Sequence, residues 1–249
     1  MLYSLFYNKI ALIIIFHFLL ISGCVFSFDL QDDFESGISK IWDLGKAETN
    51  AIKLHQTYGK QGRQTLEINL YQNDKKQIGR DGEFTERAEI QERKKVMLPL
   101  ETEIWYKFSF YLPHHFPIVD RRLIIGQWKQ MCKNCTLNHS PLIAQRYRNG
   151  QFYITIDNDK GQTILYKENN NIKDQWIDMI YHIKFSKNSS GLLEVWKNKQ
   201  RIISYHGILA YQEDLPYTYF KFGLYRDTLK EPMTIYFDDF QRSIQPLIP

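Results

Sequence analysis

The sequence predicts an all-β fold of antiparallel strands, a sandwich or a barrel, with few helices. Three observations predict it. About a dozen short segments alternate with period two, turn-forming residues separate them, and amphipathic helical periodicity is nearly absent. An aromatic content of 15% with 13 Gly among 249 residues adds a packed interior; nothing reads as low-complexity or disordered.

The expected strands follow in order. Ala51–Gln56 ends at the turn Tyr58-Gly59-Lys60, and Thr65–Tyr71 follows. Arg80-Asp81-Gly82 turns the chain into Phe84–Arg93, then come Glu103–Tyr111 and Arg121–Lys129. Leu142–Tyr147 and Phe152–Asp157 flank Arg148-Asn149-Gly150, and Asp159-Lys160-Gly161 leads to Thr163–Lys167. Trp176–Phe185 and Leu192–Lys197 flank Ser189-Ser190-Gly191, and Trp196-Lys197-Asn198-Lys199 turns again. Thr218–Tyr225 and Thr234–Arg242 complete the set. No internal repeat and no linker divides residues 28–249, which read as one domain.

The ends carry their own signals. After Lys9, an apolar block from Ile10 through Ile21 leads to Ser22-Gly23-Cys24, the pattern of a secretory signal over residues 1–27. Cleavage after Ser27 would discard Cys24. Ile21-Ser22-Gly23-Cys24 is equally a lipoprotein box, which would leave Cys24 lipidated. The expectation is a secreted or periplasmic protein, or one lipid-anchored outside the cell membrane through Cys24. Losing Lys9 lowers the formal net charge from +4 to +3, far from the strongly basic balance of a nucleic-acid binder. The acidic pairs of Asp32-Asp33 and Asp238-Asp239 lie in segments expected to run side by side, and could hold a structural Ca²⁺. Solvated turn and edge charges are the plainer account. In an exported chain Cys132-Lys133-Asn134-Cys135 reads as a small disulfide rather than a redox or zinc motif.

The candidate chemistry lies on strands. In Tyr217–Arg226, Phe220, Phe222 and Leu224 share a core face; Tyr219, Lys221, Gly223 and Tyr225 share the other. A proton-passing phenol beside fixed positive charge suits work on an acidic sugar polymer. Thr85–Arg93 puts Arg87, Glu89 and Gln91 on one face and Ala88 and Ile90 on the other. Leu123–Gln130 puts Gln127 and Lys129 together, opposite Trp128.

In order and spacing, Arg87-x-Glu89, Gly126-Gln127-Trp128-x and Tyr219-Phe220-Lys221-x-Gly223-x-Tyr225 resemble the jelly-roll polysaccharide lyases. The likeness is greatest to the heparin-lyase-I-like and glucuronan-lyase-like group, with echoes of the alginate lyases. Glu103–Pro113, Trp176-Ile177-Asp178, Ile183–Ser186 and Leu193–Asn198 extend it from about Phe34 to Phe240. The resemblance implies a two-sheet antiparallel β-sandwich, concanavalin-like, and β-elimination on a uronic-acid polymer by a monomer needing no cofactor. Arg87 and Gln127 would neutralise the uronate carboxylate, and Tyr225 would be the acid, or acid and base in turn. Tyr219 and Lys221 would line the sugar subsites. Glu89, Gln91 and Arg226 are further candidate substrate contacts, and Arg146 could reach a substrate carboxylate or equally form a salt bridge.

One position departs from that pattern. Where many relatives read Gln-Trp-His, with the histidine as base, this chain has Lys129. A lysine serves only if burial and a neighbouring cation lower its pKa. His139 is the other candidate. His114, His115 and His182 read as structural or solvated. The alternative function is a non-catalytic, lectin-like carbohydrate-binding protein of the same fold. A glycoside hydrolase would need paired carboxylates, commonly as Glu-x-Asp-x-x-Glu, and the chain has no such run.

Overall fold

A computed structural model describes residues 28–56, 59–79, 81–133, 135 and 139–248. The signal segment and Cys24 lie outside them. Strands β1 (Leu30–Asp32), β2 (Trp42–Lys46), β3 (Ile52–His55), β4 (Thr65–Leu70), β5 (Gln77–Ile78) and β6 (Phe84–Glu92) come first. A 3₁₀ turn over Lys94–Val96 precedes β7 (Leu98–Pro99), β8 (Glu103–Tyr111), β9 (Leu123–Gln130), β10 (Ile143–Arg148) and β11 (Gln151–Asn158). Then follow β12 (Gly161–Glu168), β13 (Trp176–Lys184), β14 (Leu192–Lys197), β15 (Gln200–His206), β16 (Tyr217–Asp227) and β17 (Met233–Ser243).

These strands make two antiparallel sheets, so the fold is a β-sandwich of jelly-roll type. The front sheet runs β12-β11-β10-β9-β16-β6-β2, with β5 on β6 and β7 on β16. The back sheet runs β15-β14-β13-β8-β17-β4-β3, with β1 on β17. Period-two alternation explains how they pack. Phe220, Phe222 and Leu224 of β16, Ala88 and Ile90 of β6 and Trp128 of β9 are buried in one core cluster with back-sheet Phe108, Tyr181 and Phe237. Trp128 meets Phe220 and Tyr181 at 4.4 Å between ring centroids, and Phe222 meets Phe237 at 4.5 Å. Such pairs add about 0.5–1.5 kcal/mol each beyond their buried area.

Polar ties also cross this core. Glu92 of β6 accepts from Arg242 of β17 at 2.6 Å, and its second oxygen accepts the Phe220 amide at 2.8 Å. Both partners are fully buried; burial pushes the Glu92 carboxyl up and the Arg242 charge pulls it back down.

Several expected strands are a residue or two longer or shorter, and five elements lie outside the expected set. Trp42–Lys46 is broken by Gly45, and Gln200–His206 is a largely exposed edge strand, so neither shows a clean apolar alternation. Gln77–Ile78 and Leu98–Pro99 have two residues each, too short for a period. The first strand, Leu30–Asp32, does pair with the last, Leu30 opposite Arg242 and Asp32 opposite Phe240. Asp32 accepts the amides of Phe34 and Ser39 and the Trp42 indole, while Asp238 accepts the amides of Lys60 and Asp239. Among the described residues no group of three His, Cys, Asp or Glu stands ready for a metal.

Candidate active site

The front sheet's outer face carries the expected groups on its central strands. Register sets them side by side. Tyr225 lies opposite Arg87 and Lys221 opposite Gln91 across β16 and β6; Lys221 lies opposite Gln127 and Tyr219 opposite Lys129 across β16 and β9. A bulge between Phe222 and Tyr225 brings Tyr225 opposite Ile124. Gly223 stands within that bulge at φ 131°, and a Cβ there would lie 2.3 Å from the Ala88 carbonyl oxygen. Only glycine fits.

A cavity of about 380 Å³ opens over this row, lined by Arg87, Gln91, Gln127, Lys129, His139, Arg146, Tyr219, Lys221 and Tyr225, and also by Lys46, Arg122, Ile124, Ser140, Pro141 and Gln162. Six of the lining side chains are cationic and none of the described ones is a carboxylate. Arg87, Gln127 and Tyr225, from three distant stretches, therefore share one cavity.

Glu89 lies beneath the floor rather than in the lining. It is 1% exposed, accepts Gln127 Nε2 at 2.5 Å and Lys221 Nζ at 3.2 Å, and stands 3.8 Å from Arg87. It orients three groups that line the cavity. Arg87 stacks over the Tyr225 ring at 4.7 Å, and its buried Nε has no partner among the described residues. Arg122 approaches the same ring at 5.8 Å and is tethered to Asp81 at 2.9 Å and to Asp227. Arg146 donates through Nε to Thr155 at 3.0 Å.

Burial shifts the groups that titrate here. Burial, reinforced by the Lys221 and Arg87 charges, pulls the Lys129 amine down to about 8. Burial lowers Lys221 against the pull of Glu89. Burial pushes the Tyr219 phenol up to about 12, with the Glu89 charge adding to it. Lys129 also donates to the backbone carbonyl of His139. His139 Nδ1 in turn meets Asp214 Oδ2 at 2.8 Å. The disulfide Cys132–Cys135 is formed in the same loop.

Two expected subsite residues are misplaced: Glu89, beneath the floor, and Arg226. Arg226 points to the opposite side of the sheet, fully buried, bonded to Glu86 at 3.1 Å and to the carbonyls of Leu229 and Glu231. As the neighbour of Tyr225 on a strand, it must face the other way. Conversely, Lys46, Arg122 and Gln162 enter the cavity without a motif to announce them. Lys46 comes from the Gly45-broken edge strand, where it pairs with Glu89 in register. His182 is held between Glu103 at 2.7 Å and Glu194 at 3.0 Å, and exposed His114 meets Asp174 at 2.7 Å; both are structural, as expected.

The fold and its cavity define a class, jelly-roll sandwiches, that holds lyases, hydrolases and binding domains alike. The chain belongs to the polysaccharide lyase family: the family model described as polysaccharide lyase matches residues 34–241. The structure is similar to an endo-β-1,4-glucuronan lyase from the fungus Trichoderma reesei, with TM-score 0.66 and 15% identity over 86% of this chain and 94% of that one. It is similar to the alginate lyase AlgAT5 of polysaccharide lyase family 7, with TM-score 0.56 and 12% identity over 78% and 82%. A GH131 β-glucanase catalytic domain from Podospora anserina shares the fold at TM-score 0.58 and 10% identity over 88% and 93%. No curated protein sequence matches the chain.

Proposed function

We propose that this lyase cleaves a uronic-acid-containing polysaccharide by β-elimination, and that it does so outside the cytoplasm. The observation that carries the reading is the cationic, carboxylate-free cavity in which Arg87, Gln127 and Tyr225 meet. A uronate C5 proton is hard to remove while the adjacent carboxylate keeps its charge. Arg87, with a free Nε, and Gln127, oriented by Glu89, supply the donors that neutralise it and stabilise the enediolate. A base takes the C5 proton, C4=C5 forms, C4–O4 breaks, and Tyr225 protonates the departing O4. Lys46, Lys221 and Arg146 face the neighbouring uronates, with Gln91 and Tyr219 beside them. Hydrolysis fits less well, because the described lining offers neither member of a carboxylate pair.

The test is a panel of glucuronan, alginate, heparin and chondroitin, monitored for the ultraviolet absorbance of unsaturated ends. Wild type should produce them from at least one polymer, and Tyr225→Phe should lower kcat by about 10²-fold or more. Binding of uronate oligomers without turnover, unaltered by Tyr225→Phe, would replace this reading with the lectin-like one. Export rests on residues 1–27; the mature N-terminus, at Phe28 or at a lipidated Cys24, decides between release and anchoring.

A further inference from the structure

We propose that the base of this elimination is His139, and that Asp214 is the positioning residue that makes it one. The inference rests on the lyase reading above and assigns the step which that reading leaves to an unnamed group.

Beside Tyr225, which the resemblance allows as acid and base in turn, the cavity lining offers two candidate bases, and they are not alike. Lys129 Nζ donates to the His139 carbonyl, a bond that it can make charged or neutral. With the amine at about 8, roughly a tenth of it is unprotonated at pH 7. Lys129 latches the loop and is mostly a cation at pH 7, while burial and the Lys221 and Arg87 charges meet the condition set above for a lysine base; what His139 has and Lys129 lacks is a carboxylate that orients it.

The His139 ring is held for proton transfer. Nδ1 lies 2.8 Å from a carboxylate whose side chain is 3% exposed, which places the proton on Nδ1 and the lone pair on Nε2. The ring is clamped flat against Tyr211, 4.2 Å between centroids and 19° between planes. His139 lines the cavity, and the nitrogen left for a ligand is Nε2.

Asp214 is itself fixed. Its Oδ1 accepts the Lys133 amide at 3.2 Å, inside the disulfide loop, and its carbonyl accepts Lys187 Nζ at 2.9 Å. Gln130, buried at the end of β9, accepts the Tyr211 amide at 2.8 Å and donates to the carbonyls of Tyr211 and Leu215. One strand therefore presents Gln127 and Lys129 to the cavity and holds, from its other face, the segment that carries Asp214.

The step balances. Nε2 takes the C5 proton, the C5–H pair becomes the C4=C5 π bond, the C4–O4 bond breaks, and O4 takes the Tyr225 proton. Water then carries the imidazolium proton back to the phenolate.

Asp214→Asn keeps an acceptor but removes the charge. It should lower kcat by about 10²-fold with KM nearly unchanged. The charged and titratable groups facing His139 are Asp214 and Tyr211 from one segment and Lys129 from β9. Losing the carboxylate destabilises the imidazolium, so the acidic limb of kcat/KM should move to lower pH; a purely structural role leaves that limb in place. His139→Gln should lose a similar factor, and Asp214→Asn/His139→Gln should be no worse than either alone. His139→Gln alone tests the base assignment if Asp214→Asn misfolds. Asp214→Glu should restore part of kcat.

Wild-type kcat or an unmoved limb in Asp214→Asn, or wild-type kcat in His139→Gln, overturns the inference and leaves the lyase reading intact. Absence of unsaturated ends from wild type overturns both.

Discussion

Glu89 shows how much of this cavity is decided by a residue that does not line it. Its carboxylate spans Gln127 and Lys221 and stands near Arg87, so three strands are tuned by one buried charge. Arg226 is the contrasting case. It sits one residue from Tyr225 yet belongs to the other face, paired with Glu86 where both side chains are 0% exposed. Arg226→Met should therefore cost stability, about 3–5 kcal/mol by urea unfolding, because Glu86 is left as an unpaired buried ion. KM on the cleaved polymer should stay at the wild-type value. A raised KM with unchanged stability would return Arg226 to the subsites. Parity along a strand is legible in sequence, and it does place Arg87, Gln127, Lys129, Tyr219, Lys221 and Tyr225 together. Asp214 is not legible. It lies 75 residues from His139 in a loop whose Gln212-Glu213-Asp214 reads as solvated charge.

At the scale of elements, β16 organises the front sheet through its bulge. Pairing runs in step from Thr218 to Phe222 against β9, then shifts so that Tyr225 meets Ile124. Gly223 makes this shift, and its place against Glu89 in register leaves the carboxylate room to span its partners. Gly223→Ala would drive a Cβ onto the Ala88 carbonyl oxygen and to within 2.9 Å of the Glu89 Cα, both backbone atoms. We expect a loss of roughly 1–3 kcal/mol from the strained φ alone. We also expect a fall in kcat of about 10²-fold as Glu89 and Tyr225 move apart from their partners. Thermal unfolding and product absorbance check both; a variant as active as wild type would mean the bulge does not set the site. Sequence shows this glycine as a break in the Tyr-Phe-Lys-x-Gly-x-Tyr pattern, but not the register shift it permits, since pairing depends on a strand about 100 residues away. The strands that escape detection are short or lack a clean apolar alternation, as in Trp42–Lys46, Leu98–Pro99 and Gln200–His206.

Taken whole, the molecule separates what governs its reaction from what governs its stability. The front face holds the cations, Tyr225 and His139. The back sheet's outer face holds Ser109, Asp178 and Asp238, adjacent in register across β13, β8 and β17, with Lys60 bonded to Ser109 and Asp178 above them. Burial raises the Asp238 carboxyl from 3.8 to about 6, with the Asp239 charge adding and the Lys60 and Asp239 amides opposing. The native state thus holds this proton more tightly than the unfolded chain. The resulting stabilisation is complete below about pH 4 and is lost as pH rises through about 6. Asp238→Asn imitates the protonated form at every pH. Its stability relative to wild type should be near zero at pH 4 and grow to at most about 3 kcal/mol by pH 7. Urea midpoints at pH 4, 5, 6 and 7 measure the difference; a flat difference would show that Asp238 ionises alike in both states. The kcat/KM profile of Asp238→Asn should keep the wild-type acidic limb, because His139 and Asp214 stand on the other sheet's face and no described hydrogen bond joins them to Asp238.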